Sequence, residues 1–365
     1  MIKAFGSPSS YVQGSGVLLK SDPYLKGFGQ QPLWVTDNDV YQIIGQRLET
    51  YLQGAGYRVT TVKFSGESST TEIDRITQIG QDQHVTVVYG LGGGKTSDSA
   101  KAIADNLNLP VVIMPTLAST DAPCSRLSVI YTDDGRFDHY RFYSHNPNLV
   151  LVDSQLIAGA PVRLLTAGIA DALATNVEAQ AVAQAGAKTM LNEHQTLVGN
   201  AIAQTCEDTL FKYAHLAVAD VKHHVVTRAL DRIIEANTLM SGLGFESGGL
   251  SGAHAIHDGL TTLPQTHGLS HGEKVAYGIL TQLMLEGVSQ ARYEKYFTLL
   301  LSLGLPTTLK ALHLADATDD DLLSAAKAAC AANDTMDRLP FPVTPADVAQ
   351  AFRAVDAYTA DYLAR

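Results

Sequence analysis

HVTVVYGLGGGKTSDSAKA, His84 to Ala102, decides the fold. HVTVVY is a valine-rich apolar run, which reads as a strand buried on both faces of a sheet. It passes directly into Gly90-Leu91-Gly92-Gly93-Gly94-Lys95-Thr96, and Thr96 to Asn106 then reads as a helix. A strand that ends in glycines and opens a helix is a phosphate cradle. Glycine lets the backbone approach an anion, and the helix start presents free N–H groups and partial positive charge. The match to named fingerprints is incomplete. A P-loop needs glycine where Tyr89 stands, and a G-x-G-x-x-G turn needs it where Lys95 stands. A tight strand-to-helix turn without a ligand is the alternative to Gly93, Gly94 and Lys95 holding a pyrophosphate.

Outward from this turn the same rhythm repeats. Pro32 to Asp37, PLWVTD, is a buried strand, and a helix follows through Val40, Ile44, Leu48 and Leu52 until Gly54 and Gly56 stop it. Tyr57 to Phe64 alternates as a strand, Ile73, Ile76 and Ile79 mark a helix, and Leu109 to Pro115 is another buried strand. This order predicts an α/β domain with a parallel, Rossmann-like sheet. Tyr11 to Leu18 and Leu149 to Asp153 add strand candidates. Asp133-Asp134-Gly135 joins 126–132 to 137–143 as a hairpin. Asp37 closes the first long strand, where it could accept from both ribose hydroxyls of NAD or cap the next helix. Beyond about Ser154 strand signals vanish. The expected domains are 1–160, α/β and nucleotide-binding, and 161–365, an all-α bundle that binds metal and substrate.

Composition narrows the class. Apolar residues at 45% and charged residues at 17% suit a globular protein with substantial cores. A net charge of −11 without a Lys/Arg cluster argues against nucleic acid as partner. No run is apolar enough to span a bilayer, and MIKAFGSPSSYVQG lacks a signal-peptide pattern. Three scattered cysteines suggest a reducing compartment, so the expected location is cytoplasmic.

The second half carries the metal chemistry. GGLSGAHAIHDGLTTLPQTHGLSHGEKVAYG, 248–278, holds His254, His257, His267 and His271. His254 and His257 share a helix face at a spacing of three, and His271 opens a second apolar helix. Imidazoles on two helix ends joined by a loop can converge on one ion, although each could instead be a hydrogen-bonded core or surface residue. In TAGIADALAT, 166–175, Asp171 lies on an apolar face, and a buried carboxylate wants a cation. One Asp and two His with an open fourth position is the arrangement of a catalytic zinc site.

GLGGGKTSDSAKA (90–102), PTLASTDAPCS (115–125), AGIADALAT (167–175), GFESGGLSGAHAIHDGLT (244–261) and HGEKVAYG (271–278), in this order, resemble the glycerol dehydrogenases. These form a branch of the group III, iron-containing alcohol dehydrogenase superfamily. The resemblance spans nearly the whole chain. It implies NAD-linked, zinc-dependent oxidation of glycerol or another vicinal diol, an active site in the cleft between two domains, and a homo-oligomer, with an octamer as one size. By position it assigns Asp171, His254 and His271 to the metal and Asp121 to the small polyol substrate. Asp37, Gly93, Gly94, Lys95, Thr116, Ser119, Ser125, Leu127 and Tyr131 fall to the NAD cleft. Thr175 stands where the wider superfamily often has a third histidine, which favours zinc over iron (Fe2+). QTHGLS, 265–270, is less aromatic than expected of this branch, which leaves room for another diol or hydroxyketone. His257 and His267 fit supporting roles. Relatives that act on anionic substrates, such as dehydroquinate synthase and glycerol-1-phosphate dehydrogenase, should gather basic residues around the metal. Here only Arg126 and Lys274 offer charge. A non-catalytic nucleotide- and metal-binding protein is the alternative of another class.

Overall fold

The structure is a computed structural model that describes residues 1–332 and 334–365. Its strands are β1 (Tyr11–Gly14), β2 (Pro32–Thr36), β3 (Thr60–Lys63), β4 (Val87–Gly92), β5 (Val111–Pro115), β6 (Leu127–Tyr131), β7 (Phe137–Phe142) and β8 (Leu149–Asp153). Six of them form one parallel sheet in the order β1-β8-β5-β4-β2-β3. β2, β4, β5 and β8 are buried along their whole length, while the edge strands β1 and β3 are partly exposed. That is why the inner strands read as unbroken apolar runs. β6 and β7 pair separately as an antiparallel hairpin.

The strand expected at His84–Tyr89 lies further along the chain. His84 adopts a left-handed φ of 50°, as a turn residue, and Gly90 and Gly92 pair with Ile113 and Pro115. The glycines therefore belong to the sheet as well as to the turn. A Cβ on Gly90 would lie 2.6 Å from that of Ala100, so glycine lets the next helix, α1 (Gly94–Leu107), press against its own strand.

The chain divides into two compact units. One comprises Gly6–Val162 and Leu216–Gly242, the other Met1–Phe5, Arg163–His215 and Leu243–Arg365. Both differ from a single cut near residue 160. Leu216–Gly242 is helical, yet it is tied to the sheet unit by side chains that local periodicity does not reveal. Gln13 donates to the Asp231 carbonyl (2.8 Å), Tyr11 and Thr238 share a hydrogen bond (2.9 Å), and the Asn237 amide donates to the Ala118 carbonyl (2.9 Å).

The helical unit is built on α2 (Val162–Ala185), which is buried on nearly every side from Leu165 to Val182. A helix enclosed all round is central to its bundle. Against it lie α3 (Leu197–Lys222, in this unit as far as His215), α4 (Gly252–Thr261) and α5 (His271–Leu285), and α6 (Asp319–Ala329) packs on α4. Small residues bring these helices close. A Cβ on Gly272 would overlap the carbonyl oxygen of Ala167 in α2, and one on Gly278 would overlap that of Ala253 in α4. Both glycines of HGEKVAYG are thus contact points at which α5 touches the backbone of its two neighbours. Among the described residues no helix is long and apolar enough to cross a membrane.

Gly272→Ala forces a methyl group onto a backbone carbonyl that no rotamer change can move. The variant is expected to lose at least about 1–3 kcal/mol of stability, read as a lower urea midpoint. An unchanged midpoint would contradict the close approach of α5 to α2.

Candidate metal and nucleotide sites

The helical unit brings Asp171, His254 and His271 together, with their donor atoms all within 4.8 Å of one another. Each comes from a different helix, α2, α4 and α5 respectively. Asp171 is fully buried. Its Oδ1 lies 3.0 Å from His271 Nε2 and 3.3 Å from His254 Nε2. A tetrahedral ion with bonds of about 2.0–2.2 Å holds its ligand atoms roughly 3.3–3.6 Å apart, so the trio needs little movement to accept one. The His271 side chain is 25% exposed, which leaves the group open on one side.

The start of α5 is set locally. Ser270 and Glu273 form a capping box, and Arg163 grips Glu273 through two hydrogen bonds of 2.9 and 2.6 Å. This places His271 at the first helical position. His254 is set by Glu178, whose Oε2 accepts from Nδ1 at 2.6 Å. For His257 the sequence suggested only a supporting role, with no partner named. Its Nε2 lies 2.9 Å from His271 Nδ1, and its Nδ1 lies 2.8 Å from Asp258 Oδ1. His254 and His271 are therefore each held at the nitrogen away from Asp171, the usual way of aiming an imidazole at a metal. His267 stays outside, exposed, against the Thr261 carbonyl.

Glu178 and Asp258 escaped sequence reasoning. The signal for Glu178 was present: it stands seven residues, or two helical turns, after Asp171 on the same apolar helix. Asp258 adjoins His257 in sequence but carried no pattern.

The electrostatics follow from burial and pairing. Burial pushes the Asp171 carboxyl up, but the two imidazoles, His271 foremost, outweigh it and hold it well below the usual carboxylate range. Burial pushes His254 down, and the Glu178 and Asp171 carboxylates more than offset that, so its proton is held well above the usual histidine value. Burial, then His271, Lys274 and His254, keep His257 neutral.

The sheet unit carries the other site. From β2 the chain moves outward to β3, then returns to lay β4 on the opposite side of β2. The crevice beyond the carboxyl ends of β2 and β4 is therefore a topological switch point, where such sheets bind ligands. A cavity of about 450 Å³ lies there, lined by Asp37, Val40, Ile44, Gly93, Thr116 and Leu156 among others. Thr116 Oγ1 is buried without a hydrogen-bond partner, as a ligand contact would require. Gly93 is the N-cap of α1, with no side chain occupying the helix start. A Cβ placed on Gly93 would meet only Leu117 at an ordinary 3.6 Å, so protein packing does not explain glycine there. Asp37 does cap the following helix, its Oδ1 accepting from Val40 N at 2.8 Å.

The remaining nucleotide candidates are placed as follows. Lys95 pairs with Glu67 at 2.6 Å and lies over the Tyr131 ring at 5.0 Å. Gly94 lies against Thr120, and Ser119 is half-buried. Ser125 Oγ and the Leu127 carbonyl both receive the buried Lys101 ammonium, which is ion-paired with Asp98 at 2.9 Å. Asp121 is buried, and Ser241 Oγ lies 3.4 Å from its Oδ2.

A family model described as iron-containing alcohol dehydrogenase matches residues 8–154. Glycerol dehydrogenase from Escherichia coli O6:H1 is 45% identical over 363 residues, 100% of this chain and 99% of that one. The chain belongs to the iron-containing alcohol dehydrogenase family. Glycolaldehyde reductase from Halobacterium salinarum is 44% identical over 356 residues, 98% of each chain. The crystal structure of glycerol dehydrogenase from Schizosaccharomyces pombe superposes with a TM-score of 0.95 at 40% identity, covering 99% of this chain and 92% of that one. Family and fold thus agree with the parallel sheet and helical C-terminal region expected from the sequence.

An ion needs the Nε2 lone pair of His254, so metal binding expels the proton that the metal-free ring holds. Asp171, with its depressed value, stays ionised throughout. Zinc affinity is therefore expected to rise about tenfold per pH unit from the ordinary histidine range, about 6.5, upward. The rise ends once the raised His254 value is passed. Calorimetric titration at about pH 7 and pH 8 measures this, and a pH-independent affinity would contradict it.

Proposed function

We propose that this chain oxidises glycerol to dihydroxyacetone with NAD as hydride acceptor and zinc as its resident metal. The observation that carries the reading is the Asp171–His254–His271 trio, in a chain similar over its full length to glycerol dehydrogenases. These three side chains would hold the ion. When bound, zinc supplies a Lewis acid that lowers the pKa of an alcohol oxygen, and NAD takes the hydride from the alcohol carbon.

The chain's own residues do the rest. Asp37 would accept from the ribose hydroxyls through the oxygen that does not cap its helix, and would repel a 2′-phosphate. The free N–H groups at Gly93 and Gly94 would receive the pyrophosphate, with Lys95 released from Glu67 to join them. Thr116 Oγ1 would gain its missing partner. Ser119, Ser125, Leu127 and Tyr131 would line the same cleft, and Asp121 would accept a substrate hydroxyl and so orient the diol. A neutral polyol fits better than an anion, because Lys274 is the one lysine or arginine in the segments that carry Asp171, His254 and His271. The proposal also includes a cytoplasmic homo-oligomer, an octamer among the possible sizes, which light scattering would test.

The 44% identity to a glycolaldehyde reductase favours a second reading, the same site reducing a small hydroxyaldehyde. NAD reduction with a polyol panel, alongside NADH oxidation with glycolaldehyde, separates the two. If neither reaction proceeds with metal-loaded protein, both readings fail.

Asp171→Asn and His271→Ala are expected to lower turnover by at least about a thousandfold, roughly 4 kcal/mol of barrier. NAD binding should persist, because its residues lie in the other unit. A metal-free Asp171→Asn protein with normal turnover would sink the scheme. Asp37→Asn keeps a good N-cap but removes the charge. It should leave stability unchanged and raise NADP use relative to NAD about tenfold, or roughly 1.4 kcal/mol. Unaltered cofactor preference would reduce Asp37 to a helix cap.

A further inference from the structure

We infer that Glu178 sets how tightly His254 can bind a metal, because it is the acceptor-only partner that keeps a proton on Nδ1 and so makes Nε2 the nitrogen that is given up to an ion. The inference rests on the metal-binding reading above. Glu178 is fully buried in α2. Its Oε1 accepts two backbone N–H groups at the start of α4, from Ser251 (2.8 Å) and His254 (3.0 Å). Its Oε2 accepts from His254 Nδ1 (2.6 Å). A neutral ring with its proton on Nδ1 leaves Nε2 bare, and Nε2 is the atom that faces Asp171.

Glutamine in place of Glu178 has the same shape and the opposite polarity at one atom. Its carbonyl oxygen must stay on the two backbone N–H groups, because an NH2 turned there would meet two donors. The NH2 then lies against His254 Nδ1 and donates to it. The ring's single proton is driven to Nε2, where it occupies the ligand position. For His271 the same selection runs through His257, whose Nδ1 donates to the Asp258 carboxylate and leaves Nε2 to accept from His271 Nδ1. Glu178 is thus a positioning residue, acting through His254.

The test is Zn2+ titration into metal-stripped, full-length protein, with the visible spectrum of bound Co2+ as a second readout. E178Q is expected to bind Zn2+ about 100-fold more weakly than wild type and to lose the Co2+ spectrum. Its circular dichroism and NAD binding should match wild type, because the backbone contacts survive and the nucleotide residues lie in the other unit. A folded E178Q that binds Zn2+ within about threefold of wild type would overturn the inference. Should E178Q not fold, Glu178→Asp decides: it remains acceptor-only and should bind within about tenfold of wild type, and a hundredfold loss in that folded variant would overturn the inference equally. A wild-type protein that takes up neither ion overturns the proposed function itself, whereas equal binding by wild type and E178Q removes only the role given to Glu178.

Discussion

A carboxylate with no exposed surface needs compensation, and Asp171 is such a group at the centre of the helical unit. Without an ion, the two imidazoles serve, each within hydrogen-bonding reach or nearly so of the same oxygen. That arrangement requires three helices to converge within a few ångströms. Gly272 and Gly278 permit it, because α5 can then rest on the backbone of α2 and α4. Larger side chains at those positions would part the helices and leave the carboxylate without its partners. Close packing and metal chemistry are therefore one constraint seen at two scales.

The same unit shows how the ligands are aimed. The start of α4 receives no side-chain cap from its own N-cap residue, Ser251. Its N–H groups are taken instead by Glu178 from α2 and by Gln282 from α5, the latter accepting from Ala253 at 2.7 Å. The helix that carries His254 is thus anchored by the two helices that carry Asp171 and His271. Such ties restrict the rotamer and ring orientation of a ligand before any ion arrives, which reduces the ordering that binding must impose.

The sheet unit uses its glycines in two different ways. Gly90 is required by the contact between β4 and α1, whereas Gly93 has room and lines the cavity. Two glycines in one run thus have separate reasons, and only coordinates distinguish them. The loop after β5 is drawn toward Lys101, whose ammonium collects the Ala122 and Leu127 carbonyls and Ser125 Oγ. Ser125 Oγ and the Leu127 carbonyl are therefore held by a buried cation in α1 to which the sequence gave no role of its own.

By itself the sequence determined the element order and the parallel sheet, and it pointed to the glycine turn and to Asp171, His254 and His271, which the structure brings together. These depend on local signals: valine runs, helical spacing, glycine clusters, and residue types whose chemistry survives without context. Tertiary structure alone decided that Leu216–Gly242 joins the sheet unit, that β4 extends through Gly92, and that Glu178 and His257 hold the His254 and His271 rings. Each of those outcomes is a contact between segments separated along the chain. Burial and hydrogen-bond partners arise only when such segments meet, so a side chain such as Glu178 reads as an ordinary helix former until the start of α4 is laid against it.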